Sequence, residues 1–367
     1  MWKIAFPFVG DSVGGSHVSA LSLIQALPTD KVEARLVIHE EGPLTSYCDR
    51  LGLPYEVVDL PFVGAAGGLR ALQQLTFSAP QLALWLRSRN IDLVHANDGR
   101  MIHSWMPAAA LAGLPRLAHR RTKWAPSRIS DRLFGFAERI VTISDFVYET
   151  VPPALKAKTC IISNPVDFPG FEKDKGQSSL RKVTRNDDPV VMFVGTHQEQ
   201  KQPHIFIEAA ARIVDERPRT NFVLAGRKTE LTSTLEAQAL RLGIGDRVFF
   251  TGYSEHVLLW LAGADGLIAP AINEGHGRSL LEAMQAGIPV VASNSGGHVE
   301  ALGNGRWGDL VDAGDSDAMA KAMLDRLRYS KVNLARCEMA AKHARCAYSS
   351  ACHARHMFSI YQEMLVL

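Results

Sequence analysis

The sequence lacks the features that would direct a chain into a membrane, an oxidising compartment or a nucleic-acid complex. Its 367 residues contain no apolar run near the ~20 residues that cross a bilayer. Only five cysteines are present, an odd number, and they are scattered. Basic and acidic residues nearly balance, 40 against 38, so the net charge of +2 gives no general attraction to nucleic acid.

No targeting signal is expected in the first residues of the sequence. Residues 1–6 (MWKIAF) are expected to form a strand and not a signal peptide, because the apolar run is short and Gly10 and Asp11 soon follow it. We therefore expect a cytoplasmic protein with reduced thiols. The length is sufficient for two domains, each with its own core.

Short apolar runs alternate with amphipathic stretches in both halves of the chain, the pattern of parallel sheets flanked by helices. Helices are expected between the strands, for instance at 69–86 and 129–138, and from residue 316 to the end. A polar stretch from Asn164 to Pro189 predicts an interdomain linker, with domains at 1–165 and 166–349. Strands are predicted at 2–8, 33–39, 55–58, 91–95, 115–119, 139–143, 159–162, 189–194, 220–225, 247–251, 265–269, 288–292 and 309–311.

The most informative stretch runs from Glu274 to Ser293. Glu274 precedes a turn bracketed by Gly275 and Gly277, after which a helix is expected to begin. Helix starts carry unpaired N–H groups and a positive dipole end, so they bind anions, and glycines let a ligand approach the backbone. Glu282 lies about one helical turn (~5.4 Å) further on, where a carboxylate can accept from ribose hydroxyls. This arrangement predicts a nucleotide-sugar site.

The same stretch, EGHGRSLLEAMQAGIPVVA, resembles the Glu-x7-Glu signature of the retaining glycosyltransferases of family 4. His276 replaces the usual Phe, and Arg278 stands where an apolar residue is common. The resemblance implies the α/β GT-B architecture: two doubly wound Rossmann-like domains facing a central cleft, with the last helix, residues 350–367, crossing back to the first domain. It also implies a nucleotide-sugar donor, UDP-linked more than GDP-linked, and retention of anomeric configuration.

Two further glycine- or lysine-containing turns follow predicted strands. Gly14 and Gly15 lie between a strand and a helix, and in the resembled family a Gly-Gly pair at this place faces the donor diphosphate. Lys201 matches the lysine of the family's Gly-Arg-x4-Lys motif, in which both cations hold the diphosphate. Thr196 replaces the arginine, and His197, Arg227 or Arg278 could supply the missing charge.

In the first domain, His119 ends a predicted strand and is expected to project into the cleft. The family usually has a histidine there that contacts the transferred sugar. His95 and Asp98 resemble the family's DxxHxH/D stretch, and Asp98 is a candidate for reaching the acceptor.

Six basic residues surround Trp124 within residues 116–132. They form either a solvated basic loop or a patch that meets an anionic acceptor or the negative face of a bilayer, where an aromatic residue fits an interfacial position. No nucleic-acid-binding motif accompanies them. The six residues are Arg116, Arg120, Arg121, Lys123, Arg128 and Arg132.

No metal site is expected. Asp315-Ser316-Asp317 has the DxD form of metal-dependent transferases, but its position before a helix predicts a cap by Asp315 or Ser316. The spacing of the late cysteines and histidines matches no zinc motif, so they are expected simply to lie on the terminal helices. They are Cys337, His343, Cys346, Cys352, His353 and His356.

The predicted function is therefore metal-independent, retaining transfer of a sugar to an acceptor hydroxyl, in envelope polysaccharide or lipid-linked glycan synthesis. No cofactor is expected beyond the nucleotide-sugar substrate. Two alternatives are a nucleotide-sugar 2-epimerase of the same architecture, which lacks the Glu-x7-Glu helix, and a binding protein without turnover, suggested by Thr196. The catalytic candidates are Glu274, His119 and Lys201. The binding candidates are Gly14, Gly15, Lys201, Gly275, His276, Gly277, Arg278, Ser279, Leu280 and Glu282.

Overall fold

The computed structural model describes residues 1–64, 69–125, 127–328 and 330–366, apart from the side chains of residues 69, 71 and 72. The chain divides into two compact units. The first comprises Met1–Pro165 and Ser350–Leu367, and the second Val166–Ser349. Among the described residues, no helix combines the length and hydrophobicity needed to span a membrane.

The first unit is built on a seven-stranded parallel sheet with the order β3-β2-β1-β4-β5-β6-β7. The central strand β1 is buried along Ile4, Ala5 and Phe6, as expected for a parallel strand with helices on both faces. The strands are β1 (Trp2–Phe8), β2 (Val32–Ile38), β3 (Tyr55–Val57), β4 (Leu93–Ala96), β5 (Arg116–Arg120), β6 (Arg139–Thr142) and β7 (Thr159–Ile161).

Eight helices complete the described part of the first unit. The last of them, α16, packs on α1 and buries Met357 and Tyr361 in the core beside Phe6. The helices are α1 (Gly15–Ala26), α2 (Pro43–Leu51), α3 (Leu69–Ser88), α4 (Gly99–Ala112), α5 (Arg128–Gly135), α6 (Asp145–Glu149), α7 (Pro153–Lys156) and α16 (Ser350–Leu365).

The second unit contains a six-stranded parallel sheet with the order β10-β9-β8-β11-β12-β13. Its strands are β8 (Val190–Val194), β9 (Asn221–Ala225), β10 (Val248–Gly252), β11 (Gly266–Ala269), β12 (Val290–Ser293) and β13 (Asp309–Val311). The helices are α8 (Lys173–Thr184), α9 (Pro203–Glu216), α10 (Leu231–Arg241), α11 (Val257–Gly263), α12 (Arg278–Ala286), α13 (His298–Ala301), α14 (Ser316–Leu327) and α15 (Lys331–Ala347), with a 3-10 turn at Glu199–Lys201.

All of the predicted strands are present, with ends within two residues of the expected positions. The helices expected at 69–86 and 129–138 correspond to α3 and α5. The helical prediction from residue 316 onward corresponds to three separate helices, α14, α15 and α16.

The prediction that residues 164–189 form a linker is wrong over residues 173–184, which form helix α8 of the second unit. Leu180 of this helix is buried, and Gly176 lies directly against α11. A Cβ atom on Gly176 would lie 2.3 Å from the backbone nitrogen of Gly263. Beside the apolar packing of Leu180 and Val183, the contact with α11 includes a glycine–glycine backbone approach, which adds nothing to the hydrophobic pattern of the sequence.

Candidate functional site

The candidate site in the second unit lies on loops at the carboxyl ends of its strands, the edge at which open parallel sheets bind ligands. The loop after β8 and the loop after β11 are joined by their backbones, since the Ile272 N–H donates to the Gln200 carbonyl at 2.9 Å. Gln200 Nε2 also donates to the Asn273 carbonyl at 3.1 Å. These two bonds bring the predicted lysine loop next to the predicted Glu-Gly turn.

Lys201 and Glu274, both predicted site residues, form an ion pair. Lys201 Nζ lies 2.5 Å from Glu274 Oε2, and the two side chains are 27% and 21% exposed. The aliphatic part of Lys201 lies along Gly195, where an added Cβ would sit 3.6 Å from Lys201 Cδ. The charged ends are therefore held in place and still reach solvent.

The turn at Glu274 is fixed by a second glycine pair, Gly296-Gly297, after β12. The Gly297 N–H donates to the Glu274 carbonyl at 2.8 Å. A Cβ on Gly296 would lie 2.6 Å from the Glu274 carbonyl oxygen, and one on Gly297 would lie 2.3 Å from that of Gly275. Only glycines allow this approach, so the pair sets the backbone position of Glu274.

Helix α12 begins at Arg278, directly after the turn. Gly277 precedes it in the left-handed region, with a φ of 77°, and no side chain caps the helix start. Leu280 and Leu281 are fully buried, which anchors the first turn in the core. The helix therefore starts without a side-chain cap, four residues after Glu274 in the chain, and a helix start of this kind can serve as an anion site.

Glu282 lies one turn inside α12, as predicted, and is 8% exposed. Its Oε1 accepts a hydrogen bond from Arg278 Nε at 2.8 Å. Burial raises the pKa of this carboxyl, while the Arg278 guanidinium opposes the rise. Arg278 and Glu282 thus form a second pair of opposite charges at the start of the helix.

His276 contributes its backbone to the turn, but its ring is buried against Tyr348, with the ring centroids 5.3 Å apart. Among the described residues, neither ring nitrogen has a hydrogen-bond partner. Burial lowers the pKa of His276 to about 4, so the ring is neutral at pH 7. The neutral imidazole is packed in the interior, and the binding role predicted for His276 stays a prediction.

His298 follows the Gly296-Gly297 pair and was missed in the sequence analysis. It is buried, its Nδ1 lies 3.1 Å from Ser293 Oγ, and burial lowers its pKa to about 4. The same imidazole interacts electrostatically with Glu274 and Lys201. A Gly-Gly pair between a strand and a helix had already been recognised at residues 14–15, and the same signal here could have identified His298.

In the first unit, Gly14 and Gly15 do connect β1 to α1, as predicted. The Gly14 N–H is already used, because it donates to His17 Nδ1 at 3.1 Å. The roles assigned to the two glycines stay predictions. Asp98 Oδ1 accepts from the Met101 N–H at 2.9 Å and caps α4, so Asp98 has at least a structural function.

His119 was expected to project into the cleft, but none of its surface is exposed in this structure, and its contact with a transferred sugar stays a prediction. Its ring is stacked between those of His95 and His353, at centroid distances of 5.5 and 5.9 Å. His353 belongs to α16, which covers the ends of β4 and β5. Burial, followed by the nearby Arg121 charge, lowers the pKa of all three histidines, that of His353 to about 3.

Hydrogen bonds complete this buried cluster. His95 Nδ1 lies 2.7 Å from the Tyr361 hydroxyl, and His353 Nδ1 lies 2.8 Å from the Ser163 carbonyl oxygen. Arg121 NH2 donates to Asn97 Oδ1 at 3.0 Å and lies 3.3 Å from His119 Nδ1. We call this set the histidine cluster: His95, Asn97, His119, Arg121, Ser163, His353 and Tyr361. Its contacts indicate that His119 helps to hold α16 in place.

The basic stretch 116–132 does not present an aromatic anchor, so the alternative in which Trp124 takes an interfacial position is not supported. Trp124 is 4% exposed, its Nε1 donates to Asp131 Oδ1 at 2.6 Å, and Arg120 lies 5.6 Å above its ring. Arg121 is buried, and Arg116 pairs with Glu138 at 2.6 Å. The solvent-exposed cations of the stretch are Lys123, Arg128 and Arg132.

The helix-cap prediction for Asp315 is confirmed, since its Oδ1 accepts from the Ala318 N–H at 2.8 Å. Asp317 pairs with Arg212. The late cysteines and histidines lie on α15 and α16, as expected. Within the described ranges, no group of three or more His, Cys, Asp or Glu side chains is arranged to hold a metal ion.

Two Rossmann-like parallel sheets, with the charged glycine-rich turn at the carboxyl edge of the second, define an enzyme of the GT-B glycosyltransferase class. The family models agree with this class. "Glycosyltransferase Family 4" matches residues 13–168, and "Glycosyl transferases group 1" matches residues 175–344. The chain belongs to glycosyltransferase family 4, and the predicted resemblance and fold class are confirmed.

The curated relatives are glycosyltransferases whose names give different substrates. The D-inositol 3-phosphate glycosyltransferase of Streptomyces avermitilis is 26% identical, over 93% of this chain and 81% of the relative. The lipopolysaccharide core mannosyltransferase LpsB of Rhizobium meliloti is 28% identical, over 69% and 78%. An Escherichia coli galactosyltransferase, named as using UDP-Gal and GlcNAc-diphosphoundecaprenol, is 24% identical, over 88% and 87%.

Solved structures share the fold. Anabaena HepE in complex with UDP and glucose superposes with a TM-score of 0.84 at 22% identity, covering 99% of this chain and 100% of that one. The lipopolysaccharide glycosyltransferase WaaG gives a TM-score of 0.69 at 16% identity, covering 97% and 99%.

Proposed function

We propose that this enzyme transfers a sugar from a nucleotide-sugar, UDP-linked more than GDP-linked, to an acceptor hydroxyl with retention and without a metal ion. Membership of family 4 supports sugar transfer, and the HepE complexes with UDP and with UDP-glucose support a uridine nucleotide. The relatives named for lipopolysaccharide core and diphosphoundecaprenol-linked substrates support an envelope glycan or lipid-linked acceptor.

The observation that carries the proposal is the Lys201–Glu274 ion pair together with the uncapped start of α12. Lys201 Nζ and the first N–H groups of the helix supply positive charge, and Glu274 supplies a carboxylate whose Oε2 lies 2.5 Å from that lysine. A diphosphate at the helix start would compete with Glu274 for Lys201. The released carboxylate of Glu274 could then accept from hydroxyls of the donor sugar.

Departure of the nucleoside diphosphate places negative charge on its β-phosphate. Lys201 and the positive end of helix α12 would stabilise that charge electrostatically, with no metal ion. Glu282 would accept from the ribose hydroxyls while Arg278 holds its carboxylate in position. In this mechanism the acceptor attacks on the face from which the phosphate leaves, and the leaving phosphate takes the acceptor's proton.

The acceptor is proposed to be anionic or presented at a membrane. Lys123, Arg128 and Arg132 are the exposed cations available for such an acceptor or for a peripheral membrane contact. The burial of Trp124 removes the aromatic contribution, so any membrane contact by this stretch would be electrostatic and weakened by salt.

The test is a thermal-shift screen of the purified protein against UDP, GDP, ADP and their common sugars, with and without EDTA. A ligand that binds only the folded state raises the melting temperature by mass action. We expect a rise with the uridine series that EDTA does not change. Loss of the rise in EDTA would contradict metal independence, and no rise with any nucleotide would contradict the donor site.

Assays of the same purified protein distinguish the proposed transferase from a binding protein without turnover and from a nucleotide-sugar 2-epimerase. Nucleotide binding with neither sugar transfer nor slow donor hydrolysis would support a binding protein without turnover. Release of the 2-epimer from a donor sugar in the absence of an acceptor would support the epimerase.

A further inference from the structure

Arg227 lies at the carboxyl end of β9, next to the Lys201 loop. The Gly195 N–H donates to the Ala225 carbonyl at 2.9 Å, and the His197 N–H donates to the Arg227 carbonyl at 3.1 Å. The parallel ladder thus continues beyond the strands and places Arg227 about one strand spacing, ~4.8 Å, from residues 196–197. A Cβ on Gly226 would lie 1.9 Å from the Gly195 carbonyl oxygen, so the two loops are in direct contact.

The other cations of this edge are neutralised by neighbouring carboxylates. Lys201 pairs with Glu274 at 2.5 Å and Arg278 with Glu282 at 2.8 Å. His197, another sequence candidate, is fully buried, with Nδ1 2.9 Å from Thr232 Oγ1.

Arg227 differs from all of these residues. It is exposed, and within the part of the chain that the structure describes no side chain or carbonyl pairs with its guanidinium. Its sequence neighbour Lys228, also exposed, lies 3.7 Å from Glu236.

A nucleoside diphosphate carries roughly two to three negative charges near pH 7, since a terminal phosphate has a second pKa near 6. Two balanced ion pairs add no net charge, and a helix start is equivalent to about half a positive charge. Thr196 contributes none. The described edge therefore offers one unpaired cation that can attract such an anion.

We propose that Arg227 binds the diphosphate of the donor and supplies the charge that an arginine at position 196 would supply. A guanidinium also matches phosphate oxygens with two parallel hydrogen bonds. The inference rests on the proposed donor site in the second unit.

The experiment is isothermal titration of the full chain with UDP, UMP and inorganic pyrophosphate, comparing wild type with Arg227→Gln and Arg227→Lys. Lys228→Gln is the matched control, because it removes the adjacent exposed cation. Loss of one charged hydrogen-bonding partner corresponds to roughly a tenfold to hundredfold weaker Kd. We expect that loss for UDP and pyrophosphate in Arg227→Gln, less for UMP, partial recovery in Arg227→Lys, and less than a twofold change in Lys228→Gln.

A second arm tests the replacement directly. Thr196→Arg introduced into Arg227→Gln should restore UDP affinity to within about fivefold of wild type, a ratio of roughly 1 kcal/mol. If wild type binds UDP and Arg227→Gln binds it equally well, the inference is overturned and the donor site stands. If wild type does not bind UDP and the thermal-shift screen also finds no binding of GDP or ADP, the donor site fails and this inference fails with it.

Discussion

The two units share a parallel architecture, but the carboxyl ends of their strands have opposite characters. In the first, polar side chains at the ends of β4 and β5 belong to the histidine cluster, and the residues of α16 that pack on this cluster leave His119 with no exposed surface. In the second, Lys201 and Glu274 lie at an edge that remains partly open to solvent. A polar residue at a strand end is therefore a reachable site only where no later element packs over it.

The difference also concerns charge. The three stacked rings of the histidine cluster are neutral, because burial disfavours the protonated form. At the open edge, the charges are kept and balanced in pairs, which partial solvation permits. The first arrangement serves packing, and the second can exchange a carboxylate for a ligand anion.

The largest expected effect is a loss of kcat on substitution of Lys201, at the solvent-open edge of the second unit. Lys201→Gln should lower kcat by about 10²–10³-fold, the usual result of removing one preorganised group that stabilises transition-state charge. The rate of nucleoside diphosphate release in the presence of acceptor measures it, with Lys228→Gln as the control. A wild-type rate in Lys201→Gln would remove the lysine from the mechanism and weaken the contrast between the units.

Glu274→Gln should lower kcat by roughly tenfold to hundredfold while nucleoside diphosphate affinity is kept or rises, because the carboxylate is assigned to the donor sugar and competes with the diphosphate for Lys201. Single-turnover rates and UDP titration separate the two quantities. Equal losses of rate and UDP affinity would instead indicate that Glu274 acts through the position of Lys201.

Glu282→Ala should weaken UDP binding by about 1.5–3 kcal/mol, since the ribose loses a charged hydrogen-bond acceptor. Glu282→Gln, which keeps the shape and one acceptor oxygen, should lose less. Titration with UDP measures both variants. Unchanged affinity in Glu282→Ala would show that the carboxylate serves Arg278 and the helix alone.

Mild acid should destabilise the first unit through its histidine cluster. A histidine with a depressed folded pKa binds protons more readily when unfolded, so its contribution is complete above the unfolded pKa of about 6.5 and is lost as pH falls toward the folded value. For His353, whose folded pKa is about 3, the loss reaches about 1.4 kcal/mol per pH unit below 6.5.

Melting temperatures at pH 7.5 and 5.5 test this prediction. His276 and His298, whose pKa values are also lowered to about 4, act in the same direction in the second unit. The informative comparison is therefore between variants: His353→Gln should show a smaller fall than wild type, whereas the exposed His256→Gln should match wild type. An identical fall in all three proteins would exclude His353 as a source.

The smallest effect on catalysis is expected for His119. His119→Asn should change kcat by less than about threefold, because the ring contacts only the buried cluster, while stability falls by about 1–3 kcal/mol from the partners it leaves unsatisfied. Transfer rates and thermal melts of the same preparation check both parts. A large loss of kcat with an unchanged melting temperature would return His119 to the catalytic machinery.

Most of the architecture could be predicted from local pattern, and the main error there was the linker. The run 189–194 and its counterparts are continuous apolar segments between amphipathic ones, which identifies parallel strands without any knowledge of contacts. Helix α8 was missed because its packing depends partly on Gly176 against Gly263, a backbone contact that adds nothing to a hydrophobic pattern.

The candidate site was predicted in part, and the residues show where prediction stopped. Lys201, Glu274 and Glu282 belong to short motifs in which spacing along the chain determines spacing in space. The pairing of Lys201 with Glu274 joins residues 73 positions apart, and no local pattern states which oxygen the lysine meets. The sequence also left open which of His197, Arg227 and Arg278 supplies the charge that Thr196 lacks. Arg227 lies beside Thr196 only because β9 pairs with β8 in the sheet.

The sequence by itself determined the strands, the helix start at Arg278 and the family, because each depends on residues close together in the chain. Only the tertiary structure decided which polar residues are reachable. It buried Trp124 and His119, paired Arg278 with Glu282, and left Arg227 exposed without a partner among the described residues. The physical reason is that exposure and charge pairing depend on what packs against a residue from elsewhere in the chain, as Tyr361 of α16 does on His95, 266 residues before it.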